Sequence, residues 1–473
     1  MNKRILFIIA TLFFIENSTL IFSSVRLPAI IGSHMVLQQK SEVNFWGWAN
    51  PGEKIILKAG WDTTSYSTVG SRGAKWIIKI KTPSAGGSYT IMINGQNEIK
   101  LEDVLIGEVW ICSGQSNMEW SGDQGVKQSI EEAPNSFNTN IRLFYIPKTT
   151  SDYLQENCDG TWKVCNAESM IHFSSIGYFY GKQLQKELNI PIGLINDNWG
   201  GTSAEVWTPA ELVIEDPALS RAAAELDPSY PYWPILPGET FNAMVNPITK
   251  YNIAGVIWYQ GESNARTYDT YGPLFKKMIG AWRKAWGKDF PFYYVQIAPY
   301  TYGQNNIGAL LREVQTSCLD YPNTGMVVIS DLVDDTTNIH PQNKKDVAAR
   351  LTNLALSETY HKTGLAYKSS MFKSMKIEKN KIRIVFNNAD NGLISRGGDP
   401  KEFYIAGDDK NFLPAIVKIE GNTVLVYNKK IKSPVAVRFG FSNTSIPNLF
   451  SREGLPVNLF HTDEWPVNTD KVR

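Results

Sequence analysis

Short apolar runs alternate with amphipathic helical patterns from about Leu105 to about Thr363, and the runs end abruptly in small or polar residues. Val109-Trp110-Ile111-Cys112 reads as a buried strand that stops at Ser113-Gly114-Gln115-Ser116-Asn117. Further strands read at Arg142–Ile146, Ile192–Ile195, Ile253–Tyr259, Phe292–Ile297 and Gly325–Ile329. Between them lie helical patterns, one over 174–188 and one with Leu274, Phe275, Met278, Ile279, Trp282 and Trp286 on a single face. A last helix is expected from Pro341, carrying Val347, Leu351 and Leu354. Near-continuous apolar strands separated by helices specify an α/β fold, with a parallel sheet covered on both faces. The Pro-, Trp- and Tyr-rich stretch over about 202–247 lacks this rhythm and reads as an insertion over one edge.

The flanks read differently. From Val25 to about Val104 the pattern is all-β: Trp76–Lys81 and Tyr89–Ile93 alternate at period two, and Asn94-Gly95 closes a hairpin. After about Gly364 short strands return, among them Lys381–Phe386 and Val424–Tyr427. The expected organisation is a signal peptide over 1–24, an N-terminal β-sandwich-like region over 25–104, a catalytic region over 105–362 and a β-rich C-terminal region over 363–473. The leader rests on Lys3 and Arg4, an apolar run from Ile5 to Ile15, and small residues at Ser23-Ser24. It predicts export to the periplasm or beyond, and no later stretch reads as a membrane span.

With 47 basic and 46 acidic residues, charge gives no reason to expect nucleic acid or an anionic membrane as partner. Cys112 is expected as a buried thiol, Cys158 and Cys165 can bridge a tight hairpin, and Cys318 has no evident partner. No Cys-x-x-Cys or His-Glu-x-x-His pattern occurs, so a catalytic metal is not expected.

Chemistry-bearing residues gather where predicted parallel strands end, the edge at which open α/β sheets bind ligands. Ser116 follows the first strand. Gly200 and Gly201 follow the strand at 192–195 and offer amides to an oxyanion. Gln260-Gly261-Glu262-Ser263-Asn264 ends the strand at 253–259 with a crowd of hydrogen-bonding groups. A serine nucleophile needs a base. Of five histidines, only His340 sits at a strand-to-helix junction of this segment.

Gly114-Gln-Ser-Asn-Met118, Gly200-Gly-Thr202, Trp258-Tyr-Gln-Gly-Glu-Ser263 and Asn338-Ile-His-Pro341, in that order, resemble the sialate O-acetylesterase family of SGNH hydrolases. Met35–Gln39 with Trp46-Gly-Trp48, and Glu453–Pro456 with Thr462–Trp465, extend the resemblance over nearly all the mature chain. It implies an SGNH-type three-layer catalytic domain with β-rich regions on either side. It also implies a cofactor-free serine esterase acting on O-acetylated sialic acids, with acetylated xylan or pectin as alternative substrates; the rival reading is a non-catalytic carbohydrate-binding protein built from the flanking β-regions. Ser116 is implied as nucleophile and His340 as general base, with the Ser116 and Gly201 amides and the Gln260 side chain as oxyanion donors. The wider group often carries Asp three residues before the His; here that position is Thr337. The third member therefore stays open among Glu262, Asp335 and Asp334, or a backbone carbonyl serving a Ser–His dyad. Asn117, Trp199, Glu205, Trp207, Asn242 and Arg266 are candidates for sugar contacts.

Overall fold

The computed structural model describes residues 24–226 and 231–472, so the expected leader lies outside the described residues except for Ser24. Strands β1 (Val36–Gln38), β2 (Glu42–Trp48), β3 (Lys54–Ala59), β4 (Ser65–Val69), β5 (Lys75–Lys81) and β6 (Gly86–Asn94) precede a 17-residue strand, β7 (Glu98–Gly114). In β5 the residues Trp76, Ile78 and Ile80 are buried while Lys75, Lys79 and Lys81 are exposed, the alternation of a sheet wetted on one face. β7 begins the same way, antiparallel to β6 across the Asn94-Gly95 turn, and from Val104 onward every residue is buried. Its second half pairs in parallel with two other strands, so this one strand runs through the expected boundary at 104/105.

Six further strands complete the central sheet: β8 (Asn138–Tyr145), β9 (Trp162–Cys165), β10 (Ile192–Asn198), β11 (Gly255–Tyr259), β12 (Phe292–Val295) and β13 (Thr324–Val327), with β9 as an antiparallel edge. The order is β13-β12-β11-β7-β10-β8-β9, and every neighbouring pair is parallel except β8–β9. Alternate β7 residues serve opposite faces. Trp110 and Cys112 pack with helices α2 (Ser175–Leu188) and α5 (Lys344–Glu358). Val109 and Ile111 face the side covered by α3 (Tyr268–Trp286) and α4 (Ile307–Ser317), where Trp207, Trp258, Phe275 and Trp282 share a core with Phe45, Trp46 and Trp76 of the N-terminal region. The stretch at 202–247 adds short helical turns whose Trp207 carbonyl accepts from Trp282 Nε1 at 2.9 Å. The C-terminal β region keeps a separate core built from Ile382, Ile384, Phe403, Val424, Val437 and Phe460.

Two local expectations change. All four cysteines are free and buried. Cys158 packs on the α3/α4 side and Cys165 on the α2/α5 side, so the sheet separates them and no bridge forms. The helix expected from Pro341 begins instead at Lys344, because the Asn343 side chain caps it by accepting the Asp346 N–H at 3.1 Å. Residues 338–342 thus stay outside the helix, which leaves His340 free to lean over the end of β7.

Candidate active site

The chain leaves β7 for β8 and β10 on one side, then crosses to β11, β12 and β13 on the other. The loops after β7, β10 and β11 therefore open into one crevice at the carboxyl edge of the sheet. Gly114 ends β7 at φ +134, and a Cβ there would stand 2.2 Å from the Tyr259 carbonyl oxygen, so only glycine fits. That close approach lets the Gln115 N–H donate to Tyr259 O at 2.9 Å. The Gln115 side chain in turn accepts from the Gly261 and Ser263 N–H groups at 3.2 and 3.3 Å.

Ser116 opens the short helix α1 (Ser116–Glu119), and its hydroxyl donates to His340 Nε2 at 2.9 Å across 224 positions of chain. The imidazole stacks on the Trp120 indole, with ring centroids 4.0 Å apart and planes inclined by 20°. Burial, and then the charge of Lys344, push the His340 pKa down to about 4. The ring is therefore neutral near pH 7 and able to accept a proton.

None of the expected acids reaches this ring. Among the described residues, the histidines paired with a carboxylate are His34, His172 and His461. Asp334 is exposed. Asp335 turns back on its own loop, accepting from Thr337 N–H and Oγ1–H at 2.8 and 2.7 Å. Glu262 is buried and its Oε1 accepts from Asn117 Nδ2 at 2.7 Å. The same Nδ2 donates to Ile339 O at 3.0 Å, and Asn117 Oδ1 accepts from the buried Lys344 Nζ at 2.6 Å. Burial raises the Glu262 pKa to about 7 and lowers that of Lys344 to about 7, where Glu262 opposes the shift. Asn117 is thus a buried strut rather than a sugar contact.

The β10 loop lies against the serine: a Cβ on Gly200 would stand 3.2 Å from Ser116 Cβ. The Gly200 N–H donates to the Glu119 carboxylate, and Ser263 Oγ donates to Gly201 O at 3.0 Å. Among the described residues, the Gly201 and Ser116 N–H groups have no protein acceptor. Gln260 does not join them. Its Nε2 is fully buried and spends both hydrogens on Asn264 Oδ1 (2.7 Å) and Thr202 O (3.3 Å), which ties the loop after β11 to the loop after β10 and satisfies a buried amide.

A family model described as carbohydrate esterase, sialic acid-specific acetylesterase, matches residues 106–357. The chain belongs to that family. The mouse sialate O-acetylesterase is 27% identical over 493 aligned positions, spanning 88% of this chain and 89% of the relative. The human one is 28% identical over 388 positions, spanning 73% of each. A solved carbohydrate acetylesterase from Xanthomonas citri is 33% identical, with a TM-score of 0.84 over 93% of this chain and 100% of the other. The protein is thus an esterase of the carbohydrate acetylesterase type.

In this esterase two more expected sugar contacts prove to be scaffold. Glu205 is buried, its Oε2 accepting from Asn264 Nδ2 at 2.9 Å, and burial pushes its carboxyl up. Trp207 is fully buried and donates from Nε1 to Thr202 Oγ1 at 2.9 Å. Asn242 ties the loop at 151–155 through Ser151 O (3.0 Å), and half-buried Trp199 donates its N–H to Gly114 O at 3.0 Å. Arg266 alone among the six is exposed. It lines a cavity of about 240 Å³ with Gly201, Ser203, Trp233 and Ser263. Sequence reasoning missed Trp120, Lys344 and Trp233.

Proposed function

We propose that this esterase removes O-acetyl groups from sialic acids through an acetyl-Ser116 intermediate. The reading is carried by the 2.9 Å contact between Ser116 Oγ and a neutral His340. Ser116 Oγ attacks the acetyl carbonyl carbon while its proton passes to His340 Nε2. The Ser116 and Gly201 N–H groups take the developing oxyanion, each such donor contributing about 3 kcal/mol. Collapse breaks the bond to the sugar oxygen, which leaves with the proton held by His340. Water, deprotonated by the same imidazole, then attacks the acetyl-enzyme and releases acetate. A Ser–His dyad suffices here, with the ring stacked on Trp120 and the preceding Ile339 carbonyl held by Asn117.

An acidic sugar is favoured by the cavity beside Gly201. Arg266, exposed on its lining, offers a guanidinium to a carboxylate. The similarity to a carbohydrate acetylesterase leaves a second reading, deacetylation of other glycans such as xylan or pectin. Acetate release from O-acetylated sialic acid and from acetylated xylan decides between them; preference for xylan rejects the sialate assignment. The SGNH relationship, a C-terminal limit of the α/β region near 362 and cleavage of an export leader near Ser24 belong to the same proposal. N-terminal sequencing of the exported protein tests the leader.

A further inference from the structure

The polar network behind Ser116 breaks no bond of the substrate, yet it connects the two halves of the dyad. Asn117 adjoins the serine in sequence, and its Nδ2 grips the carbonyl of Ile339, the residue before His340, across 222 positions. This amide can face only one way. Oδ1 meets the Lys344 ammonium at 2.6 Å and Nδ2 meets the Glu262 carboxylate at 2.7 Å; flipping it would set like partial charges against both. The Lys344 ammonium also lies 5.9 Å from the ring centroid of Trp120, the ring on which His340 stacks, and 5.9 Å from that of Tyr259. Lys344 therefore acts on both supports of the imidazole.

We propose that Lys344 is a positioning residue for His340: it locks Asn117 in the orientation that holds the Ile339 carbonyl, and so fixes the backbone from which the imidazole reaches Ser116. Its consequence for turnover rests on the dyad reading above; its effect on the ring does not. The groups around the ring are Lys344 from α5, Glu262 from the β11 loop, Glu119 of α1 paired with Lys148, and exposed Asp334 and Asp335 on the ring's own loop. The Tyr259 and Tyr302 phenols, raised far by burial, stay neutral. Lys344 is the one charge among them that weighs on His340, in the direction of deprotonation.

The test is a titration of the His340 imidazole by NMR in the Ser116→Ala background, with and without Lys344→Met, alongside kcat/KM against pH in the active enzyme. Loss of the ammonium moves both the NMR midpoint and the acid limb to higher pH by about one unit or more, while Lys344→Arg keeps them near the parent. Lys344→Met strands Glu262 as a buried charge, so Lys344→Met with Glu262→Gln serves where the single variant does not fold, with the same upward shift expected. An unmoved midpoint in a folded variant, with kcat lowered equally at every pH, overturns the proposal and leaves Lys344 a structural residue. A parent enzyme without turnover refutes the dyad reading instead, and the NMR midpoint still decides the role of Lys344.

Discussion

The two sides of Ser116 are built on opposite plans. Behind it, both polar atoms of the Asn117 side chain are bonded and buried, to Glu262, Ile339 and Lys344. In front, the Gly201 N–H has no acceptor among the described residues and the Arg266 guanidinium is exposed. A group that sets geometry gains from full burial, because low dielectric strengthens each satisfied bond and penalises each broken one. A group that reads a substrate must keep unsatisfied capacity for it. Damage behind the serine should therefore appear in kcat, and damage in front in KM.

The severest way to break this contrast is Ser116→Ala, which is expected to cut acetate release by at least about 10⁴-fold with an unchanged melting temperature. Activity that survives moves the centre elsewhere. Next comes Asn117→Leu, which should lower kcat by about 10²-fold with little change in KM, and should lower the melting temperature by leaving Lys344 and Glu262 without their bridge. A rise in KM alone would make Asn117 a substrate contact after all. In front, Arg266→Gln should raise KM for an acetylated acidic sugar by about tenfold, leaving kcat and the KM for a neutral acetyl ester as they are. Equal losses on both esters would remove Arg266 from carboxylate recognition. The smallest effect is on pH. His340 must be neutral to take the serine proton, and its pKa is depressed to about 4 from 6.5. The acid limb of kcat/KM should thus fall near pH 4. A limb near 6.5 would show that the ring is as solvated as a free one.

Much of this was legible one segment at a time. The apolar run at Val109–Cys112, its stop at Gly114, and the junction holding His340 are local signals, and each corresponds to the strand, turn or loop observed. The helix start at Pro341 failed because two signals compete within three residues, and the Asn343 cap won. Gln260 and Glu262 were read as site-facing because polar groups after a strand usually meet the ligand. Both instead point into the protein, to Asn264 and Asn117. Lys344 was invisible, since a lysine beside Lys345 at a helix start reads as solvated.

What the amino-acid order determined was therefore the periodic and the local: strands buried on both faces, the turn that frees a serine, the histidine at a loop. Such signals act within a turn or two of chain, through backbone sterics and the burial of apolar side chains. Which distant groups became partners was decided only by the tertiary structure. The order β13-β12-β11-β7-β10-β8-β9 puts β7 between β10 and β11, and the packing of α5 beside it sets Lys344 under Asn117. Closing loops of more than two hundred residues around one edge leaves no short-range trace. A buried cation, an amide and a carboxylate meet there because, once desolvated, each needs the others' hydrogen bonds.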